Sequence, residues 1–130
     1  MPYRFEFDAQ NKILLVVVEG DVQTSDLQTF IEDLRTRVNQ LHPAAGITDF
    51  SAISAFSAAP ETVRTAATLP APYPDDTPRF IVAREDYLFG IARMFELVAN
   101  RPNAKLKVLR SREEALAMLG VQNPSFEKLP

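Results

Sequence analysis

Residues Ile13 to Val18 read ILLVVV, an unbroken apolar run made mostly of β-branched side chains. Successive side chains of a strand point to opposite faces, so a strand with one solvated face alternates. A run without alternation is a strand buried on both sides. It is far too short to cross a bilayer. The chain must therefore build a sheet and cover this strand from above and below. The segment before it, YRFEF, does alternate, with Tyr3, Phe5 and Phe7 on one face and Arg4 and Glu6 on the other. The polar stretch DAQNK separates the two, and the pair is expected to form an antiparallel hairpin.

Downstream, helix and strand patterns take turns. Gly20 and Asp21 are expected to end the second strand. Ser25 and Gln28 have capping-box spacing, and Leu27, Phe30, Ile31, Leu34, Val38 and Leu41 come next at helical spacing until His42-Pro43. GITDF reads as a short buried strand, followed by a loop. Pro60 opens a short alanine-rich helix, PETVRTAATL. The proline-dense PAPYPDDTP then forms a stiff extended loop. RFIVA is a strand. A helix is expected from Asp86 to Asn100, with Leu88, Ile91, Phe95 and Val98 as its stripe. KLKVLR alternates like an edge strand. Ser111 and Glu114 cap a last helix that Gly120 ends, and the tail VQNPSFEKLP reads as irregular. Helices between strands predict parallel pairing. The expected fold is α/β: a five-stranded mixed sheet, with an N-terminal antiparallel hairpin and then parallel βα units. Four main helices lie mostly on one face, in one domain over residues 1–130.

Composition narrows the function. The chain has 130 residues and no cysteine. That removes a disulfide scaffold, thiol chemistry and cysteine-based zinc sites, and it fits a reducing compartment. The net charge is −3 and no basic block stands out, so no nucleic-acid footprint is expected. MPYRFEFDAQ lacks the apolar core of a signal peptide. A cytoplasmic protein without a membrane span is expected.

The order of elements, together with ILLVVVEGDVQTSDL, GITDFSAISAF, RFIVAREDYLFGIARMFE and VLRSREEALAML, resembles the STAS domain superfamily, in its SpoIIAA-like branch. That group shares its architecture with CRAL-TRIO lipid carriers. The resemblance covers nearly the whole chain. It implies a bacterial regulatory protein that works by protein–protein contact, as antagonists of anti-sigma factors do. It implies no enzyme activity and no cofactor. In regulatory members a serine after the third strand, at the start of a helix, is phosphorylated. Laid without gaps on Asp49, Phe50 and Ser51, the family pattern puts its later aspartate on Ser57, its acceptor serine on Ala58 and its glycine on Pro60. The usual acceptor is absent, and Ser57 stands one residue from its place.

Several residues are candidates for a site. Ser57 would be a phosphorylation or anion site; its plainer reading is a cap or turn. Asp49 would grip a ligand at the C-terminal end of a strand, or else serve backbone N–H groups. Tyr73, on the proline loop, would be a recognition anchor or a lid. Tyr87, Phe89 and Met94 spread apolar surface beyond the stripe of the helix from Asp86. Arg93 would bind a partner carboxylate, or pair with Glu96 on its own helix. His42 and the paired acids Asp75-Asp76 and Glu85-Asp86 read as solvated or capping groups, so no catalytic or metal residue is expected.

Two functions fit these residues. The first is a non-catalytic interaction module with an unknown protein partner. Self-association as a homodimer is expected too, because helices on one side would leave the other sheet face to be covered. The second is a carrier of a small hydrophobic, lipid-like ligand, held under the 70–78 loop and the 86–99 helix.

Overall fold

The computed structural model describes residues 2–99 and 105–130. The elements run β1 (Tyr3–Asp8), β2 (Ile13–Val22), α1 (Thr24–Leu41), β3 (Ala45–Phe56), α2 (Pro60–Thr68), β4 (Arg79–Val82), α3 (Asp86–Ala99), β5 (Leu106–Leu109), α4 (Arg112–Leu119) and β6 (Glu127–Lys128). Asn100, the expected last residue of the third helix, lies outside the described residues.

The strand order is β5-β4-β3-β2-β1-β6. β1 pairs antiparallel with β2 and with β6, and the pairs β2–β3, β3–β4 and β4–β5 are parallel. The sheet grows in one direction through three successive crossovers. A constant crossover hand then keeps their helices on one face. Accordingly α1 packs Phe30, Ile31 and Leu34 onto Leu14, Val16 and Val18, and α3 adds Leu88 and Ala92 on the same side. The opposite face of β2 shows Ile13, Leu15 and Val17. These pack with Ile47, Phe80, Val82 and Ala115 of α4, and with Val121 and Phe126 of the tail.

Three expectations about the sheet change. Among the described residues the sheet has six strands, not five. Phe126 packs on one face of the sheet and Leu129 on the other, which draws the tail along the β1 edge. There Glu127 and Lys128 pair with Phe7 and Glu6, and the Leu129 N–H donates to the Phe5 carbonyl. Two residues are too few to show a strand period in sequence. Next, β2 does not end at Gly20, and β3 does not end at Phe50. Both continue, pairing through Val22 and Phe56 with two register shifts. The extra residues bulge, which hides the alternation. Last, the sheet face away from α1–α3 is covered by α4 and the tail of the same chain. The ground for expecting a second copy there is removed.

Two acids hold the edges together. Asp8, the last residue of β1, accepts from the Gln10 and Asn11 N–H groups, from the Asn11 side chain and from the Ser125 N–H. Glu96 of α3 accepts from the Val108 N–H of β5, the edge strand, and pairs with Arg93. An edge group satisfied in this way is a poor template for another strand.

Burial pushes the Asp8 carboxyl up, but the four donors outweigh it and hold the group below its ordinary value. A depressed folded value adds stability that is complete above the unfolded value, near pH 4, and is lost as pH falls through the folded one. Asp8→Asn should therefore lower the urea midpoint at neutral pH. It should also lose less of that midpoint than the wild type between about pH 4 and pH 2.

Candidate functional site

Between the sheet and the α1–α3 layer lies an apolar cavity of about 90 Å³. α1 contributes Phe30 and Leu34, α2 Val63 and Ala67, and α3 Ile91 and Phe95. Gly46 of β3, Arg79 of β4 and the Pro70–Tyr73 segment close it towards the start of the parallel strands. α2 lines this wall with valine and alanine only, and such short side chains leave room. Tyr73 folds back from the proline loop and is buried, with its ring against Gly46. The Arg79 guanidinium lies 5.9 Å from that ring's centroid.

A second, polar cleft of about 350 Å³ lies on the other face. Asp49 is at its base, 6% exposed. The side chain is committed twice. One oxygen accepts from the Ser51 N–H at 2.9 Å, where the register with β2 shifts. The other accepts from Arg112 Nε at 3.1 Å and Nη2 at 2.8 Å. Arg112 opens α4, so this ion pair pins that helix to the sheet. Arg4 in the same cleft pairs with Glu6 and Glu19. Arg84 and Glu113 complete the lining. Asp49 and Tyr73 thus serve opposite faces of the sheet and share no site.

Ser57 is exposed and does not cap α2, whose flanking residue is Ala59. Its hydroxyl donates to Asp21 at 2.7 Å, and its N–H donates to the Val22 carbonyl. The Ala59 N–H finds the Thr24 hydroxyl instead. A phosphoryl group on Ser57 would carry its charge beside the Asp21 carboxylate, which opposes it.

α3 presents different chemistry on its two sides. Inward it buries Leu88, Ala92 and Glu96. Val98, expected on the buried stripe, is exposed, and Glu96 takes that side because β5 offers it a backbone donor. Outward it shows Tyr87 (51% exposed), Leu97 (70%) and Val98 (44%), with Met94 half-buried beside them. A side chain on Gly90 would meet nothing within 4 Å among the described residues. Phe89 is half-buried under Arg110, whose guanidinium stands 3.8 Å above its ring and also reaches Asp86. Arg93 pairs with Glu96 on its own helix.

Comparison with known proteins bears on the fold. No protein-family model matches the sequence, and no curated protein matches it. Among solved structures, an uncharacterized DUF3478-family protein with a SpoIIAA-like fold, from Shewanella loihica, superposes with a TM-score of 0.58. The match covers 90% of this chain and 93% of that one, at 13% identity. The fold is SpoIIAA-like. At that identity the likeness extends to the architecture alone.

Within this SpoIIAA-like frame, sequence reasoning placed Tyr73, Tyr87 and Met94 among the candidates, but it set Val98 on the buried stripe and passed over Gly46, Arg79 and Arg112. A lone glycine inside a strand pattern is a signal of close approach by a neighbour, and Gly46 carried that signal. Nothing local marked Arg112 as the partner of an aspartate 63 residues away.

Asp49→Ala should cost roughly 1–3 kcal/mol in urea unfolding, because it strips Arg112 and leaves the Ser51 N–H without its acceptor. Asp49→Asn, which keeps an acceptor for Ser51, should cost less. Ser57→Ala, at an exposed position, should stay within about 1 kcal/mol of the wild type.

Proposed function

We propose that the domain is a non-catalytic interaction module, of the regulatory kind that the STAS resemblance implies, and that it offers the outer face of α3 to a protein partner. One observation carries this reading. Tyr87, Met94, Leu97 and Val98 fall at helical spacing on a single face, and three of the four are strongly exposed. Scattered surface hydrophobics need no explanation, whereas a row along one helix forms a patch. Gly90 within that row lets a partner approach the backbone closely. The absence of catalysis belongs to the same reading. It is supported by the polar cleft, where Asp49 and Arg4 are taken up by ion pairs rather than aimed at a substrate. Ser57 has no switching role in this reading, given its bond to Asp21.

The cavity favours a second reading, a site for a small apolar ligand. Its walls are almost wholly hydrocarbon, and the 70–78 loop and α3 close it, as a carrier requires.

Native mass spectrometry of the protein purified gently from its own host tests both. The first reading predicts a complex with a protein, or a homodimer. Leu97→Glu should abolish that complex while the circular dichroism spectrum stays unchanged, since Leu97 is the most exposed residue of the patch. A complex that survives Leu97→Glu and Tyr87→Glu together would overturn the use of α3. A monomer carrying a small-molecule adduct would favour the second reading instead.

A further inference from the structure

The proline loop is pinned at both ends. Arg35 donates to the Pro70 carbonyl at 2.9 Å, and the Gly46 N–H donates to the Pro78 carbonyl at 3.0 Å. Between the pins, Tyr73 is the one buried residue of the 70–78 segment; Pro74, Asp75 and Asp76 are exposed. The segment is a stiff strap held down in its middle by a single ring.

That ring sits in a fitted slot. A methyl group built on Gly46 would overlap the Tyr73 oxygen and the ring carbon that carries it, and would stand 2.8 Å from the next ring carbon. Only a residue without a side chain leaves this space. Yet the slot does not suit the hydroxyl. Tyr73 is 5% exposed, and its oxygen is buried with no hydrogen-bond partner among the described residues. Burial pushes the phenol's pKa up and the nearby Arg79 charge pulls it back, so the group stays a neutral donor with nothing there to donate to. Buried hydroxyls ordinarily find a partner, and one left without carries a penalty. In water the hydroxyl is satisfied. The penalty therefore acts only while the ring is seated, and it makes the closed position shallower than phenylalanine would.

The slot adjoins the cavity, since Tyr73 and Gly46 both line it. We propose that Tyr73 is a displaceable plug that fills one end of a larger apolar site, and that an apolar ring compound entering the cavity lifts the strap and takes the ring's place on Gly46. This rests on the second reading above. The ligand class comes from the slot itself. It has the shape of an aromatic ring, its floor has no side chain, and Arg79 offers a cation to a ring face. Among the described residues no acceptor stands where the phenol oxygen lies, so a polar substituent at that end gains nothing.

Toluene is a suitable probe, titrated into the full chain and followed by NMR. At saturation the Overhauser contact between the Tyr73 ring and the Gly46 α-protons should be lost. The apparent affinity of a site that must open is scaled by the open fraction. Tyr73→Phe keeps the plug and removes the stranded hydroxyl. It should raise the thermal midpoint and weaken toluene binding by about five- to tenfold. Tyr73→Ala should bind toluene more tightly than the wild type. If that variant does not fold, the Overhauser contact and Tyr73→Phe decide. Toluene binding with the Tyr73–Gly46 contact intact, and with unchanged affinity in Tyr73→Phe, would overturn the plug and leave the cavity reading standing. No toluene binding by the wild type or by folded Tyr73→Ala would overturn both.

Discussion

Ile13 to Val18 are buried on both faces of the sheet, and the architecture answers to that burial. Three crossovers laid down in one direction place α1, α2 and α3 on the Leu14–Val16–Val18 side. No crossover helix can then serve Ile13, Leu15 and Val17. That side depends on the chain beyond the last parallel strand, namely α4 and the tail with Phe126. α4 is short and packs largely through Ala115, Leu116 and Leu119. Its seating is secured by polar contacts, with Arg112 holding Asp49 at one end and Asp8 holding Ser125 beyond the other. Asp49, Arg112 and Asp8 are thereby explained as fasteners of the second layer.

The helical layer is less complete on the first side. α1 brings long apolar side chains, while α2 brings Val63, Ala66 and Ala67. Interiors are normally filled to crystal-like density, and small side chains over a twisted sheet leave a void unless something else enters. Tyr73 enters from a loop. Gly46 makes the opening for it, and the leftover space is the cavity. A loop whose middle is held down by one aromatic ring is more easily lifted than a helix held by a stripe, because fewer buried contacts oppose it.

The two proposed uses of the domain meet at α3. Its inner face lines the cavity through Ile91 and Phe95, and its outer face presents Tyr87, Met94 and Leu97. Glu96 ties the same helix to the edge strand. A ligand that changes how α3 rests on the sheet changes the surface offered outward. For such a ligand linkage would make the effect reciprocal, and a partner bound to α3 would alter the ligand's affinity by the same factor.

Much of this was legible in the amino-acid order alone, because it depends on periodicity. The buried run of β2, the alternation of β1, the stripe of α1 and the cap pair Ser111–Gly120 are patterns within a few residues of one another. They determined the α/β class, the mixed sheet and the succession of five strands and four helices along the chain. What escaped was set by contacts between distant residues. β6 has too few residues for a period and exists because Phe126 and Leu129 find opposite faces of the sheet. β2 and β3 run on past their apparent ends because each pairs with the other through bulges. Ser57 proved to be a partner of Asp21, Asp49 of Arg112, and Tyr73 of Gly46. A sequence shows which residues can bury a ring or accept a proton. Tertiary structure alone decides which donor, acceptor or vacant side-chain space arrives opposite, since chain segments tens of residues apart must first be brought within a few ångströms.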